Sequence, residues 1–342
     1  MKNLLQKIKI PIILMIIAII LAISCVFYNN FNILLHNFML KNNIVSTHEN
    51  MLVHFISVGQ GDAVAINLPS GKTLLIDTGK TSSNVDYTRY LKNKVINNSR
   101  SNKIDYLILT HADADHVGGT MKLLSEFEIG FVYMPCIDSE TETFSNIKNE
   151  VFNNYNYQVL AGNLNIEEDD VNITNFQLLQ NEETNDSCPV IKIEYKSKSF
   201  LFTGDISTDA ETALVEEFSA KLNSDVLKVA HHGSGTSSGE QFLSIVSPKY
   251  AVISVGENSY GHPTSEVINR LNSTGAKVLR TDEDGNILFV VGDTYGLTNI
   301  CGDYYITNII FDYRIFVTIL DGVILVFVGI YLVKNLKQIR DK

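Results

Sequence analysis

Four of the six residues from His111 to His116, in the stretch Thr110-His111-Ala112-Asp113-Ala114-Asp115-His116-Val117-Gly118-Gly119, carry side chains that ligate metal ions. The apolar run Ile104-Asp105-Tyr106-Leu107-Ile108-Leu109 precedes them and reads as a buried strand, and residues 116–127 follow with helical spacing. The cluster therefore sits on a strand-to-helix turn, where unpaired backbone N–H groups favour anions. Two imidazoles and two carboxylates this close together repel one another and lose hydration unless a cation holds them, which reads the stretch as a metal site. Taken alone, six such residues also fit a solvated polar loop with a helix cap. The distinction depends on whether the rest of the chain supplies further ligands.

The two ends of the 342-residue chain are of another kind. Residues 10–27 form an uncharged apolar run of 18 residues, and residues 315–333 form a second run of 19, interrupted only by Asp321. Each is long enough to span a bilayer. Lys2, Lys7 and Lys9 flank the first run, and Lys334, Lys337, Arg340 and Lys342 the second. Basic flanks on both sides predict that both termini are cytoplasmic and the middle is extracellular, at the cell membrane. A cleaved signal peptide is the main rival for the first run, and Leu21-Ala22-Ile23-Ser24-Cys25 weakly resembles a lipoprotein processing site. The predicted organisation is a tail and anchor over 1–28, a linker over 29–50, the main domain over 51–300, a linker over 301–314, a transmembrane helix over 315–333 and a basic tail over 334–342.

Net charge sharpens the reading of the middle. The chain carries −11, and each tail contributes +3, so the part between them carries −17. Such a domain lacks the basic footprint of a broad nucleic-acid clamp. The four cysteines, Cys25, Cys136, Cys188 and Cys301, form no closely spaced pair, so a thiolate zinc knuckle is not expected. Buried thiols are expected, with a disulfide among the last three as the alternative.

Along the domain, short apolar runs at 51–58, 62–68 and 72–77, separated by Gly59-Gln60-Gly61 and Pro69-Ser70-Gly71, predict a three-stranded antiparallel meander. His54, within the first run, reads as a core or face residue. Helical spacing follows at 84–97, then the strand and metal-cluster turn, a strand at 130–134, a polar helix at 144–154 and strands at 158–160 and 176–178. A hairpin is predicted from 190–195 and 199–202, ending at Thr203-Gly204-Asp205. Asp205 is either a turn residue or the one carboxylate able to bridge two cations. A helix at 208–219 and a strand at 226–230 lead to His231-His232-Gly233-Ser234, a pair of imidazoles hard to explain by packing. A strand at 250–255, the loop Tyr260-Gly261-His262-Pro263, a helix at 265–273 and strands at 277–280 and 287–291 complete the domain. Strands and helices alternating in two halves predict two sheets packed face to face with helices outside. Asp77, at the end of the third strand, either orients a ligating imidazole or makes an Asx turn.

His-x-Asp-x-Asp-His, Thr-Gly-Asp and His-His-Gly-Ser, in that order after strands, resemble the metallo-β-lactamase fold hydrolases. With Val58-Gly59-Gln60-Gly61-Asp62-Ala63, Leu75-Ile76-Asp77-Thr78-Gly79 and Tyr260-Gly261-His262-Pro263, the set is similar to the hydrolase domain of ComEC-type DNA-uptake proteins over about residues 51–291. The resemblance implies an αββα sandwich, flanked here by one N-terminal and one C-terminal transmembrane helix. It implies that His111, Asp113 and Asp205 hold one divalent cation and that Asp115, His116, His231 and Asp205 hold a second. A metal-bound hydroxide would be the nucleophile. By the same resemblance, His232 and His262 would protonate the leaving group or touch substrate, Ser234 and Thr236 would bind phosphate, and Asp77 and Asp62 would support the ligands. Asp113 stands where the fold's commoner motif has His, which hardens the site and sets manganese (Mn2+) beside zinc (Zn2+). A further His of many members has no match near Asn185-Asp186-Ser187-Cys188. ComEC-type channels also carry many membrane spans, and this chain has at most two.

The expected activity is therefore a membrane-anchored, extracytoplasmic, dinuclear metal-dependent phosphodiesterase or nuclease. Its substrate would be DNA or a small or cell-wall phosphodiester, as for phosphorylcholine esterases. A hydrolase of lactones or other small esters and a non-catalytic metal-stabilised module in DNA uptake are the alternatives.

Overall fold

A computed structural model describes residues 44–307, apart from 47–48, 81–85, 97–101, 138, alternate positions within 163–169, 179–184, 294–295 and 303. The two terminal apolar runs lie outside the described residues. Among the described residues no helix is long and apolar enough to cross a membrane.

The strands are β1 (Ile44–Ser46), β2 (Met51–Phe55), β3 (Val64–Asn67), β4 (Thr73–Ile76), β5 (Lys103–Ile108), β6 (Glu128–Met134), β7 (Tyr157–Val159), β8 (Val171–Asn175), β9 (Ile191–Tyr195), β10 (Lys198–Phe202), β11 (Val226–Lys228), β12 (Tyr250–Ile253), β13 (Lys277–Arg280), β14 (Ile287–Gly292), β15 (Gly296–Cys301) and β16 (Tyr305–Thr307). They form an eight-stranded sheet in the order β15-β14-β2-β3-β4-β5-β6-β7 and a six-stranded sheet in the order β13-β12-β11-β10-β9-β8, while β1 pairs with β16. The segments expected as linkers thus contribute one strand each, paired with one another.

Alternation along the strands builds the layers. Met51, Val53 and Phe55 of β2 meet Ile191, Ile193, Phe200 and Phe202 of β9 and β10 in the apolar layer between the sheets. The opposite face of the larger sheet packs Ala65, Leu75 and Leu107 against Leu91, Leu123, Phe144 and Ile147 from its helices. The smaller sheet packs Leu201, Leu227 and Ala251 against Leu214, Phe242, Val267 and Leu271 in the helices Thr208–Phe218, Glu240–Val246 and Ser265–Ser273. Four layers result, helix, sheet, sheet and helix, as expected.

Several elements differ from expectation. The helix expected at 116–127 is two short helices, Ala114–Val117 and Thr120–Glu126. A Cβ on the intervening Gly119 would lie 2.4 Å from the Thr78 carbonyl oxygen, so the helical segment is pressed onto the loop after β4. The described part of the helix expected at 84–97 is one α-turn, Tyr87–Tyr90, running into a π-helical segment, Leu91–Val95. The strand expected at 176–178 lies earlier, as β8, and Phe176 instead enters the helix-covered core. The hairpin between β9 and β10 turns through Lys196 and Ser197, both at positive φ (47° and 60°), a geometry matched to strand twist. Cys136, Cys188 and Cys301 are free thiols.

A candidate metal centre

Parallel strands gather the chemistry at one edge. β4 and β5 run parallel in the larger sheet, so Asp77 and Thr110, each just past a strand end, meet. The Thr110 N–H donates to Asp77 Oδ1 at 2.8 Å and its hydroxyl to Oδ2 at 2.7 Å, while the Thr78 N–H donates to the His116 carbonyl at 2.7 Å. β10, β11 and β12 run parallel in the smaller sheet and deliver Asp205, His231-His232 and Ser254 from their carboxyl ends. Gly61 closes the site from a third side. A Cβ there would lie 2.2 Å from the Asp115 carbonyl oxygen, and its φ of 142° suits glycine.

The convergence centres on one carboxylate. Oδ2 of Asp205 lies 3.2 Å from His116 Nε2, 3.5 Å from His232 Nε2 and 3.9 Å from His111 Nε2. His232 Nε2 also lies 3.3 Å from Asp115 Oδ2, and His111 Nε2 lies 3.7 Å from Asp113 Oδ2. His111 and His116 rings are 3.9 Å apart, His116 and His232 rings 5.3 Å. His111, His116 and Asp205 form one set of ligand atoms mutually within 4.8 Å, and Asp115, His116 and His232 form another. Two further sets of that kind are Asp62, Asp77 and His116, and Asp62, Asp205 and His232.

The hydrogen bonds on the far side of each ring fix what the near side can do. His116 Nδ1 lies 2.8 Å from Asp77 Oδ2, a carboxylate that only accepts. His232 Nδ1 lies 2.8 Å from the Ser254 carbonyl. His111 Nδ1 lies 3.0 Å from the Thr110 hydroxyl, whose proton is already given to Asp77. In the neutral imidazole each Nδ1 therefore carries the proton, and each Nε2 presents a lone pair to the Asp205 region. All three Nε2 atoms and Asp205 Oδ1 are buried without a hydrogen-bond partner. Lone pairs facing carboxylate oxygens in a buried site are stable only with a cation, or extra protons, between them. The residues therefore fit a divalent metal.

Titration behaviour follows the same crowding. Burial, reinforced by His116, pushes His111 down to about 4. Burial also opposes the charged form of His116, but Asp205, Asp77 and Asp62 outweigh it and hold it well above the usual histidine range. Burial likewise opposes ionisation of Asp205, yet His116, His232 and Lys228 draw it well below the usual carboxylate range.

The structure brings most of the expected site residues together and separates others. His232, not His231, enters the ligand cluster. β11 ends at Lys228, short of the expected strand end at 230, and both histidines adopt left-handed backbone conformations, with φ of 49° and 51°. That turn sends the second imidazole inward and leaves His231 half-buried, its ring edge-on to His262 at 5.6 Å. Asp113 lies at the rim, with 53% of its side chain exposed. Asp77 holds His116 and Thr110 as one of its two readings required, at a positive φ of 59°. Asp62 lies 3.5 Å from His232 Nδ1 and 3.7 Å from His116 Nδ1 and pairs closely with Lys228. The Ser234 and Thr236 hydroxyls bond to one another at 2.9 Å beside the site, outside the ligand cluster. His262 stands beyond His231, and its Nδ1 is shielded without a partner.

Four residues went unread in the sequence. Lys228 is buried, donates to the Gly204 carbonyl at 3.0 Å and lies 3.6 Å from Asp205 Oδ1. A lone Lys inside the apolar run Val226-Leu227-Lys228-Val229-Ala230 was the available signal. Asp186, where a further His was sought, accepts from the Ser207 N–H at 2.8 Å and hydroxyl at 3.0 Å, bracing the chain after Asp205. Glu211 accepts from the Ser238 and Gly239 N–H groups at 2.6 and 2.7 Å, and Arg270 donates to the Ser238 and Gly235 carbonyls at 3.0 Å each. Together they clamp the loop after His232-Gly233-Ser234.

Residues 56–257 match the metallo-beta-lactamase superfamily. The chain is 31% identical over 277 residues to ComE operon protein 3 of Bacillus subtilis, covering 74% of this chain and 34% of that protein. It is 31% identical over 235 residues to competence protein ComA of Neisseria gonorrhoeae, covering 68% and 31%. It is 28% identical over 246 residues to recombination protein 2 of Haemophilus influenzae, covering 69% and 28%. The chain thus spans about a third of the length of these relatives.

Proposed function

This chain belongs to the metallo-beta-lactamase superfamily, and from that premise we propose that it is a membrane-anchored, extracytoplasmic phosphodiesterase working with two divalent cations. The observation that carries the reading is the clustering of His111, His116 and Asp205, and of Asp115, His116 and His232, with all three Nε2 atoms buried and lacking a hydrogen-bond partner. His111, Asp113 and Asp205 would hold one cation, and Asp115, His116, His232 and Asp205 the other. His232 takes the ligand position expected of His231, and His231 joins His262 at the opening.

When bound, a pair of such cations lowers the pKa of a water and offsets charge on phosphoryl oxygens. The protein's own groups do the rest. Asp77, Thr110 and the Ser254 carbonyl keep each Nδ1 protonated and each Nε2 aimed inward. His231 and His262, edge-on to one another beside the cluster, would pass a proton to a departing oxygen. Carboxylates among the ligands suit zinc or manganese. The named relatives' connection with competence and recombination favours a nucleic-acid phosphodiester. The −17 charge of the middle favours local contact with it, or a small or cell-wall phosphodiester instead. The apolar runs at 10–27 and 315–333 support anchoring with both termini cytoplasmic.

The test is hydrolysis of bis-p-nitrophenyl phosphate and single-stranded DNA with added manganese or zinc, at low and high salt, alongside Asp205→Asn. Cation-dependent turnover by the native chain, abolished by the substitution in a folded protein, supports the reading. Turnover unaffected by Asp205→Asn contradicts it.

A further inference from the structure

Building on the phosphodiesterase reading, we propose that Tyr260 is a stacking platform for a nucleobase beside the scissile phosphate, which makes single-stranded nucleic acid the substrate class.

Tyr260 is 73% exposed, whereas the other exposed large apolar side chains among the described residues lie near 40%. Slack in the loop does not account for this. Asn258 donates through Nδ2 to the Gly256 and His262 carbonyls at 2.9 and 2.8 Å, and its Oδ1 accepts from the Tyr260 and His262 N–H groups, both at 3.1 Å. One side chain thus fixes the backbone on both sides of the tyrosine, whose ring stands in solvent. A loop backbone already held in place loses little entropy on binding.

The ring also has a definite place relative to the ligand cluster. From the buried His232, rings follow one another outward: His231 at 6.4 Å, then His262 at 5.6 Å, then Tyr260 at 5.8 Å, tilted 30° to His262. Exposure rises along this row, from buried His232 through half-buried His231 and His262 to Tyr260. A phosphodiester at the inner end would carry its attached nucleoside outward along that row.

Charge then decides what the outer end can recognise. The loop Gly256-Glu257-Asn258-Ser259-Tyr260-Gly261-His262 contains no Lys or Arg, and its one ionised side chain is acidic. Phosphate attraction is therefore not what this loop offers. An aromatic face is, and stacking tolerates any base sequence. Bases within a duplex already stack on one another, so the platform selects single strands.

The experiment measures KM and kcat of the full chain with manganese on a single-stranded oligonucleotide, the same oligonucleotide with abasic residues, and its duplex. Oligonucleotide affinity is read separately by fluorescence anisotropy. Tyr260→Ala is expected to raise KM and weaken affinity for the base-bearing strand about tenfold, with a smaller change in kcat, and Tyr260→Trp to restore both. The abasic strand is expected to show no such difference. Unchanged KM and affinity in Tyr260→Ala, with Asp205→Asn still inactive, overturns the platform and leaves the phosphodiesterase standing. Equal affinity for duplex, or none for single strands, also overturns it. Tyr260-dependent affinity without hydrolysis of any phosphodiester upholds the platform and removes the reaction.

Discussion

Asp77 Oδ2 lies 2.8 Å from His116 Nδ1, so a carboxylate at the end of one strand sets the tautomer of an imidazole that follows its parallel neighbour. Asparagine at 77 would turn an N–H2 group toward that nitrogen and favour the proton on Nε2, where a lone pair is needed. Asp77→Asn is expected to lower divalent-cation affinity about 10- to 100-fold in a folded protein, measured by competition with a chromophoric chelator.

The two adjacent histidines separate by function. His232→Ala is expected to lose one of two bound cations and nearly all turnover. His231→Ala is expected to keep both cations and lower kcat on the order of 100- to 10,000-fold, as for loss of a proton donor. Elemental analysis of each variant beside its kcat makes the distinction.

Lys228 is a buried cation between Asp62 and Asp205. Burial works against its charge, but those two carboxylates outweigh it and raise its pKa. Lys228→Met removes the close partner of Asp62 and one of the cations facing Asp205, and is expected to cost about 3–5 kcal/mol in urea unfolding with chelator present. Added zinc or manganese is expected to recover part of that loss, because the bound charge replaces the missing one.

His54 Nε2 faces Asn67 Oδ1 at 3.0 Å, and Nδ1 faces the Tyr304 and Tyr90 hydroxyls at 2.8 and 3.0 Å. The Asn67 amide donates to the Val95 carbonyl, so its oxygen faces the ring and accepts from Nε2–H, leaving the Nδ1 lone pair of the neutral imidazole to the tyrosine hydroxyls. Burial pushes His54 down to about 4, against the Asn67 hydrogen bond and with help from Lys94. A depressed histidine contributes stability that is complete above the unfolded value near 6.5 and is lost as pH falls toward 4. The loss is expected to reach roughly 3 kcal/mol, at about 1.4 kcal/mol per unit. Urea unfolding between pH 7 and 4 should show it, and His54→Leu should flatten that slope while being less stable at pH 7.

What the sequence made legible was what strand order and residue type alone determine. The meander before Asp77, the hairpin before Asp205 and the helix Ser265–Ser273 follow from alternation, turn residues and helical spacing. So does the gathering of His111–His116, Asp205 and the paired histidines, since each follows an apolar strand. The exchange of His231 and His232 was not legible, because it depends on two left-handed residues past a strand that stops early. Lys228 was not, because only packing shows its ammonium turned to Asp62 and Asp205. The helix Glu240–Val246 was overlooked because it is short and follows a serine-rich loop, although Phe242, Leu243 and Val246 carry its buried face. The strand β8, Val-Asn-Ile-Thr-Asn, lies at a sheet edge with three of its five side chains polar, so nearby Phe176 gave the stronger apolar signal.

Anomalous diffraction from crystals grown with manganese tests the central claim most directly. Two peaks are predicted, about 3.5–4 Å apart. One would lie against His111, Asp113 and Asp205, the other against Asp115, His116, His232 and Asp205. A single peak among Asp62, Asp77 and His116, or none near Asp205, would contradict the dinuclear centre.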